Sequence, residues 1–112
     1  MQNFHEHKLW QDAYVALMDV HEALGVDCEG KDEEVVEHVL RTATDLAAKI
    51  ADGLSRLDHR FARQVIFDAI GLVAVVRTHL AVAWGRGLLD DEAFKALDDK
   101  YAFLSQSLQN YK

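Results

Sequence analysis

The sequence of 112 residues has no proline and only six glycines. Proline breaks a helix from within, and turn-rich β proteins draw on both residues, so this scarcity favours long uninterrupted helices. Cysteine is nearly absent too. Cys28 stands alone, which excludes an intramolecular disulfide and suits a reducing compartment. The opening stretch MQNFHEHKLWQ has neither a cationic start nor an apolar run. No secretory signal is expected, and the expected location is cytoplasmic.

Positive charge is in short supply. Lys and Arg number 12 against 19 Asp and Glu, for a net charge of -7. The balance is uneven: residues 1–54 sum to -8, residues 55–89 to +3 and residues 90–112 to -2. An acidic chain repels polyanions over most of its surface, so any nucleic-acid contact has to come from residues 55–89 or from a pattern multiplied by oligomerisation.

What is abundant is apolar: 50% of residues are hydrophobic, enough for one domain with a core that needs no staples. Apolar or small residues recur in steps of three and four in four segments. The first carries Trp10, Ala13, Leu17, Val20 and Leu24; the second Val36, Val39, Ala43, Leu46, Ile50 and Gly53. The third carries Ala62, Val65, Ala69, Leu72, Val76, His79 and Ala83; the fourth Phe94, Leu97, Tyr101, Leu104, Leu108 and Tyr111. This alternation is a helical seam. Punctuation agrees with it. Gly25 can close the first helix before the loop VDCEGKD, and Asp32 can cap the second. Ser55 or Asp58 can cap the third, and Gly85 and Gly87 can close it. Asp90 can cap the fourth, with Leu89 and Phe94 as a staple. Short connections make neighbours antiparallel. The fold expected is all-α, an up-down-up-down left-handed four-helix bundle formed by residues 1–112 as a single domain. Helices of about 20–28 residues would make it roughly 30–40 Å long.

The landmarks resemble a known family, the bacterial four-helix-bundle proteins first noticed as reading frames within intervening sequences of large-subunit ribosomal RNA genes. Phe4 followed by Trp10-Gln11-x-Ala13 is similar to the family's opening. Lys49-Ile50-Ala51-Asp52-Gly53 and then Ser55-Arg56 stand where members carry Asn-Ile-Ala-Glu-Gly and a Gly-Arg pair. Ala69-Ile70-Gly71-Leu72 stands at Ala-x-Gly-Ser, and Gly87-Leu88-Leu89-Asp90-Asp91 at the entry to the last helix. The chain departs from the pattern at Ala47, Lys49 and Val75, where members carry Pro, Asn and Glu. The resemblance implies a cytosolic homo-oligomer, a ring of five. A related branch, the accessory proteins of diversity-generating retroelements, is basic and binds nucleic acid, unlike the acidic balance here.

No catalytic constellation stands out, so no enzyme, cofactor or metal site is expected. Six histidines invite a di-metal bundle, but no Glu-x-x-His occurs; Glu34 and His38 alone are half a site. His21 and His79 fall on or beside apolar stripes, as neutral buried histidines would. Cys28 lies between Asp27 and Glu29, which disfavours a thiolate. Arg56, Arg60 and Arg63 form a basic corner. As a nucleic-acid grip it lacks interleaved aromatics, since Phe61 is expected to face the core, and ion pairing with the acidic helices is the simpler use.

The third segment holds more apolar surface than a bundle helix needs. It passes for a membrane span, but Asp68, Arg77 and His79 interrupt it, and a packed helix fits better. Phe67, Ile70, Gly71, Ala74, Thr78 and Ala81 step along its opposite side, and Phe103 lies off the fourth seam. An unpartnered apolar stripe marks an interaction surface. The expected function is a non-enzymatic oligomeric scaffold or interaction protein. The alternative is a nucleic-acid-associated accessory factor using a ring of basic corners.

Overall fold

The computed structural model describes residues 3–25 and 31–112. Within them the chain forms a 3₁₀ turn at Phe4–Glu6 and helices α1 (Lys8–Leu24), α2 (Lys31–Leu54), α3 (His59–Gly85) and α4 (Asp91–Gln109). Each helix packs on its neighbours in sequence, and α1 also packs on α4, closing an up-down-up-down four-helix bundle. No strand occurs among the described residues. The helices run 17, 24, 27 and 19 residues, and the molecule measures 44 × 21 × 20 Å.

The helix ends follow local chemistry. Asp58 Oδ1 accepts hydrogen bonds from the backbone N–H groups of Arg60 and Phe61, and Asp90 Oδ1 accepts one from Ala93 at 2.7 Å. These satisfy first-turn donors that have no partner inside the helix. Asp32 is not a cap: it lies inside the first turn of α2, where its carboxylate meets Arg86 at 3.2 Å. His7, not foreseen as a cap, serves α1 through Nδ1, which accepts from Leu9 N–H. Gly25 follows α1 as its C-cap, and Gly87 takes a left-handed φ of 80° just past α3. The loop residues from Val26 to Gly30, including Cys28, lie outside the described residues.

The core confirms the second seam residue for residue, from Val36 to Gly53, and adds Ala47 and Leu54. The seam of α3 is rotated from the one expected. Ile66, Val73 and Leu80 are fully enclosed, whereas Val65, Leu72 and His79 sit at the half-buried margin. In α1, Leu9 rather than Trp10 enters the core; in α4, Phe94 and Tyr111 are half-buried at the ends. Gly53 lets α2 and α3 approach closely: a Cβ there would lie 2.7 Å from Ile66 Cδ1. On the far side, Arg77 and Asp98 tie α3 to α4 by two parallel hydrogen bonds of 2.8 and 2.9 Å, and the carboxylate pushes the Arg77 guanidinium pKa above its usual value.

Candidate interaction surfaces

A helix of one apolar stripe spends it on the bundle core. Helix α3 is apolar well beyond that stripe. Its most apolar 18-residue window has a mean hydropathy of 1.9, yet only 28% of that window is buried. It is long and apolar enough to cross a membrane by composition. The expected second stripe is distributed as follows. Phe67, Gly71, Ala74 and Thr78 are exposed, while Ile70 and Ala81 are half-buried. Val75 and Val82, 39% and 44% exposed, extend the apolar surface beyond the residues foreseen. A Cβ added at Gly71 would meet nothing within 4 Å, so the bundle itself gives no packing reason for glycine there.

These residues do not form one flat face with Phe103. Ala74, Thr78 and Ala81 line a groove of about 390 Å³ between α3 and α4, together with Arg77, Phe94 and Asp98. Phe67 lies nearer the start of α3 in a shallow basin of about 350 Å³ with Arg60, Arg63, Gln64 and Asp68. Phe103, 58% exposed, belongs to a different groove, of about 360 Å³ between α1 and α4, with Asp12, Val15, Ala16, Asp99 and Lys100. Val15 is itself 53% exposed. Val15 was passed over because it lies off the seam of Trp10, Ala13, Leu17, Val20 and Leu24.

The basic corner differs from expectation in two respects. Phe61 does not face the core: it is 63% exposed, and Leu57 beside it is 88% exposed. The α3 face that reaches the interior runs through Ala62 and Ile66, which turns Phe61 outward. The three arginines also divide. Arg56 binds Asp52 through Nε at 2.8 Å and Nη2 at 3.2 Å, which holds the Asp52 carboxyl below its ordinary pKa and raises that of Arg56. Arg60 and Arg63 make no ion pair among the described residues, and Arg63 lies over the Phe67 ring, 5.6 Å from its centroid.

The histidines expected inside are not there. His21 is exposed, and His79 is half-buried against His38 with ring centroids 5.3 Å apart. His38 Nε2 approaches Glu34 at 3.8 Å on the exposed side of α2. Among the described residues no three His, Cys, Asp or Glu side chains gather closely enough to hold a metal ion.

The positions carrying the family resemblance have identifiable local roles. Trp10 stacks on Tyr14 at 5.0 Å and meets Phe4 edge-on, pinning the N-terminal turn to α1. Ala13 and Ile50 are core residues, Ala51 is half-buried, and Gly53 is the close-approach point of α2 and α3. No protein-family model matches the chain, and no curated protein matches it.

Proposed function

We propose that the protein is a non-enzymatic oligomeric scaffold that assembles through the outward side of α3. The observation that carries this is the unused apolar surface of that helix, from Phe67 through Gly71 and Ala74 to Thr78, with Val75 and Val82 beside it. Exposed apolar surface of this extent is costly on an isolated monomer and is the ordinary mark of a partner site. A membrane is the poorer occupant. Asp68 is exposed on the same helix, and Arg77 is locked to Asp98 on α4, both expensive in hydrocarbon. We also read the chain as cytoplasmic and as a distant relative of the bundle proteins of ribosomal RNA intervening sequences. A ring of five is the assembly that relationship suggests.

The test is the oligomeric state. Light scattering coupled to size exclusion should show an assembly larger than one chain at tens of micromolar, about the range a standard interface reaches easily. Ala74→Glu places a charge on the exposed side of α3, away from the core. It should stay helical and dissociate, because a buried unpaired carboxylate costs several kcal/mol. A monomeric wild type, or a variant that keeps the full assembly, overturns the proposal.

A second reading is favoured by one observation. Phe67 is exposed in one basin with Arg60 and Arg63, which make no ion pair among the described residues, and Phe61 is exposed at the same end of α3. Aromatic faces next to cations are what single-stranded nucleic acid uses for stacking and phosphate contact. The net charge of -7 opposes it and ranks it second.

A further inference from the structure

We infer that the contact between copies is heterologous: the exposed Phe67 ring of one copy, with Arg60 and Arg63 beside it, seats in the α1–α4 groove around Phe103 on a second. This rests on the self-association proposed above and names the surface that α3 meets.

The two surfaces differ in character and carry opposite rims. The α1–α4 groove is a mainly apolar depression of about 360 Å³ holding Phe103, whereas Phe67 is 41% exposed among the polar side chains of Arg60, Arg63, Gln64 and Asp68. Phe67 is flanked by Arg60 and Arg63, which have no carboxylate partner among the described residues, and by one carboxylate, Asp68, which leaves the surroundings net positive. The Phe103 groove is edged by Asp12 and Asp99. Among the described residues they pair with Lys8 and Lys95, each one turn along the same helix and 76% and 75% exposed. Exposed pairs of that kind contribute little and exchange readily for a partner's arginine. The one cation lining the groove, Lys100, is already engaged with Asp19 on α1. Arginine from one copy and aspartate from the other therefore meet around an aromatic contact.

Symmetric pairing is the worse arrangement. A two-fold axis through Phe67 gathers Arg60 and Arg63 of both copies, and one through Phe103 gathers both sets of Asp12 and Asp99. Like charges set together across a contact are costly. The Phe67 surface and the Phe103 groove lie in different parts of the bundle, so each copy can give the one and receive in the other.

Complementation by mixing tests this. Phe67→Glu removes the ring, and Phe103→Glu blocks the groove; both side chains are exposed, so circular dichroism should show both variants folded. Each alone should be monomeric by light scattering. Mixed one to one, they should form a heterodimer and nothing larger, because one good Phe67 surface and one good groove remain. Arg63→Glu and Asp99→Arg should each weaken assembly at least tenfold, and the double variant should recover most of it. A Phe103→Glu variant that assembles like the wild type, or a mixture that stays monomeric, overturns the inference. If Ala74→Glu dissociates in the same series, the role of α3 survives and only its mate is wrong. A monomeric wild type overturns both.

Discussion

Tyr101 is a fully enclosed side chain of α4 whose hydroxyl has no hydrogen-bond partner among the described residues. Burying a hydroxyl without a partner costs about 1–3 kcal/mol. Tyr101→Phe keeps the ring and removes that cost, so thermal unfolding should show a gain of about 1 kcal/mol. The same residue imposes a pH dependence. Burial disfavours the phenolate, with the charge of Asp19 adding to it, so the folded chain holds this proton above the ordinary value of 10.0. The unfolded chain releases it near that value. Above pH 10 the folded state therefore binds more protons than the unfolded one, and stability falls by about 1.4 kcal/mol per pH unit from this group. Denaturant titrations at pH 9 and 11 should show a loss of about 1.4 kcal/mol in total from this group in the wild type, and its absence in Tyr101→Phe. Two glycines test the packing argument. Gly53→Ala sets a methyl carbon 2.7 and 2.9 Å from two atoms of Ile66, a side chain with no exposed surface to move into. The clash should outweigh the helix preference of alanine and cost about 1–2 kcal/mol net in chemical denaturation. Gly71→Ala meets open space. It should stabilise the monomer by about 0.5–1 kcal/mol while loosening any assembly that needs close approach there.

At the scale of the helix, legibility followed contrast. Helix α2 alternates apolar with charged residues, so one face could be read directly, and every expected residue from Val36 to Gly53 is buried. Helix α3 is apolar on several sides, and two adjacent registers fit its sequence about equally well. Choosing Val65, Leu72 and His79 over Ile66, Val73 and Leu80 rotated the seam by one residue at alternate steps. That rotation also misplaced Phe61, an aromatic that the corner leaves exposed. The surplus of apolar surface on α3 was legible regardless of register, because it is a matter of amount. What sequence could not supply is adjacency: the separation of Phe103 from the α3 surface, and the pairing of Arg77 with Asp98, depend on which helices are neighbours. Caps were readable where a short polar side chain precedes an apolar run, as at Asp58 and Asp90. Asp90→Ala removes the acceptor for Ala93 N–H and should cost about 1 kcal/mol in denaturant unfolding. Its effect should be confined to the first turns of α4, since Asp98, held by Arg77 of α3, lies two turns further along.

Over the whole molecule the charge is arranged along the long axis. The first turns of α2 and α4, Asp32 to Glu34 and Asp91 to Glu92, lie at one end of a bundle 44 Å long, and the α2–α3 corner with Arg56, Arg60 and Arg63 lies at the other. That polarity decides how far the nucleic-acid reading can go. Counterion release makes the salt dependence of binding a count of neutralised phosphates, with a slope of about -0.7 per contact for a single strand. Arg56 is committed to Asp52 by two hydrogen bonds, so only Arg60 and Arg63 are free to neutralise phosphate. A log–log plot of affinity against salt should then have a slope of about -1.4 per chain, far shallower than that of a dedicated nucleic-acid protein. Fluorescence anisotropy with a labelled oligothymidine at 50–200 mM salt reads it. The roughly sevenfold loss that slope implies across this range should accompany weak binding that Phe61→Ala reduces further, since stacking contributes about 1–3 kcal/mol per base. Arg56→Ala should matter less than Arg60→Ala, because removing a guanidinium already bound to a carboxylate changes the corner's net charge but not its supply of free donors. Tight binding that persists at 200 mM salt, or equal sensitivity to all three arginines, would place the phosphate contacts elsewhere on the bundle and restore nucleic acid as the leading partner.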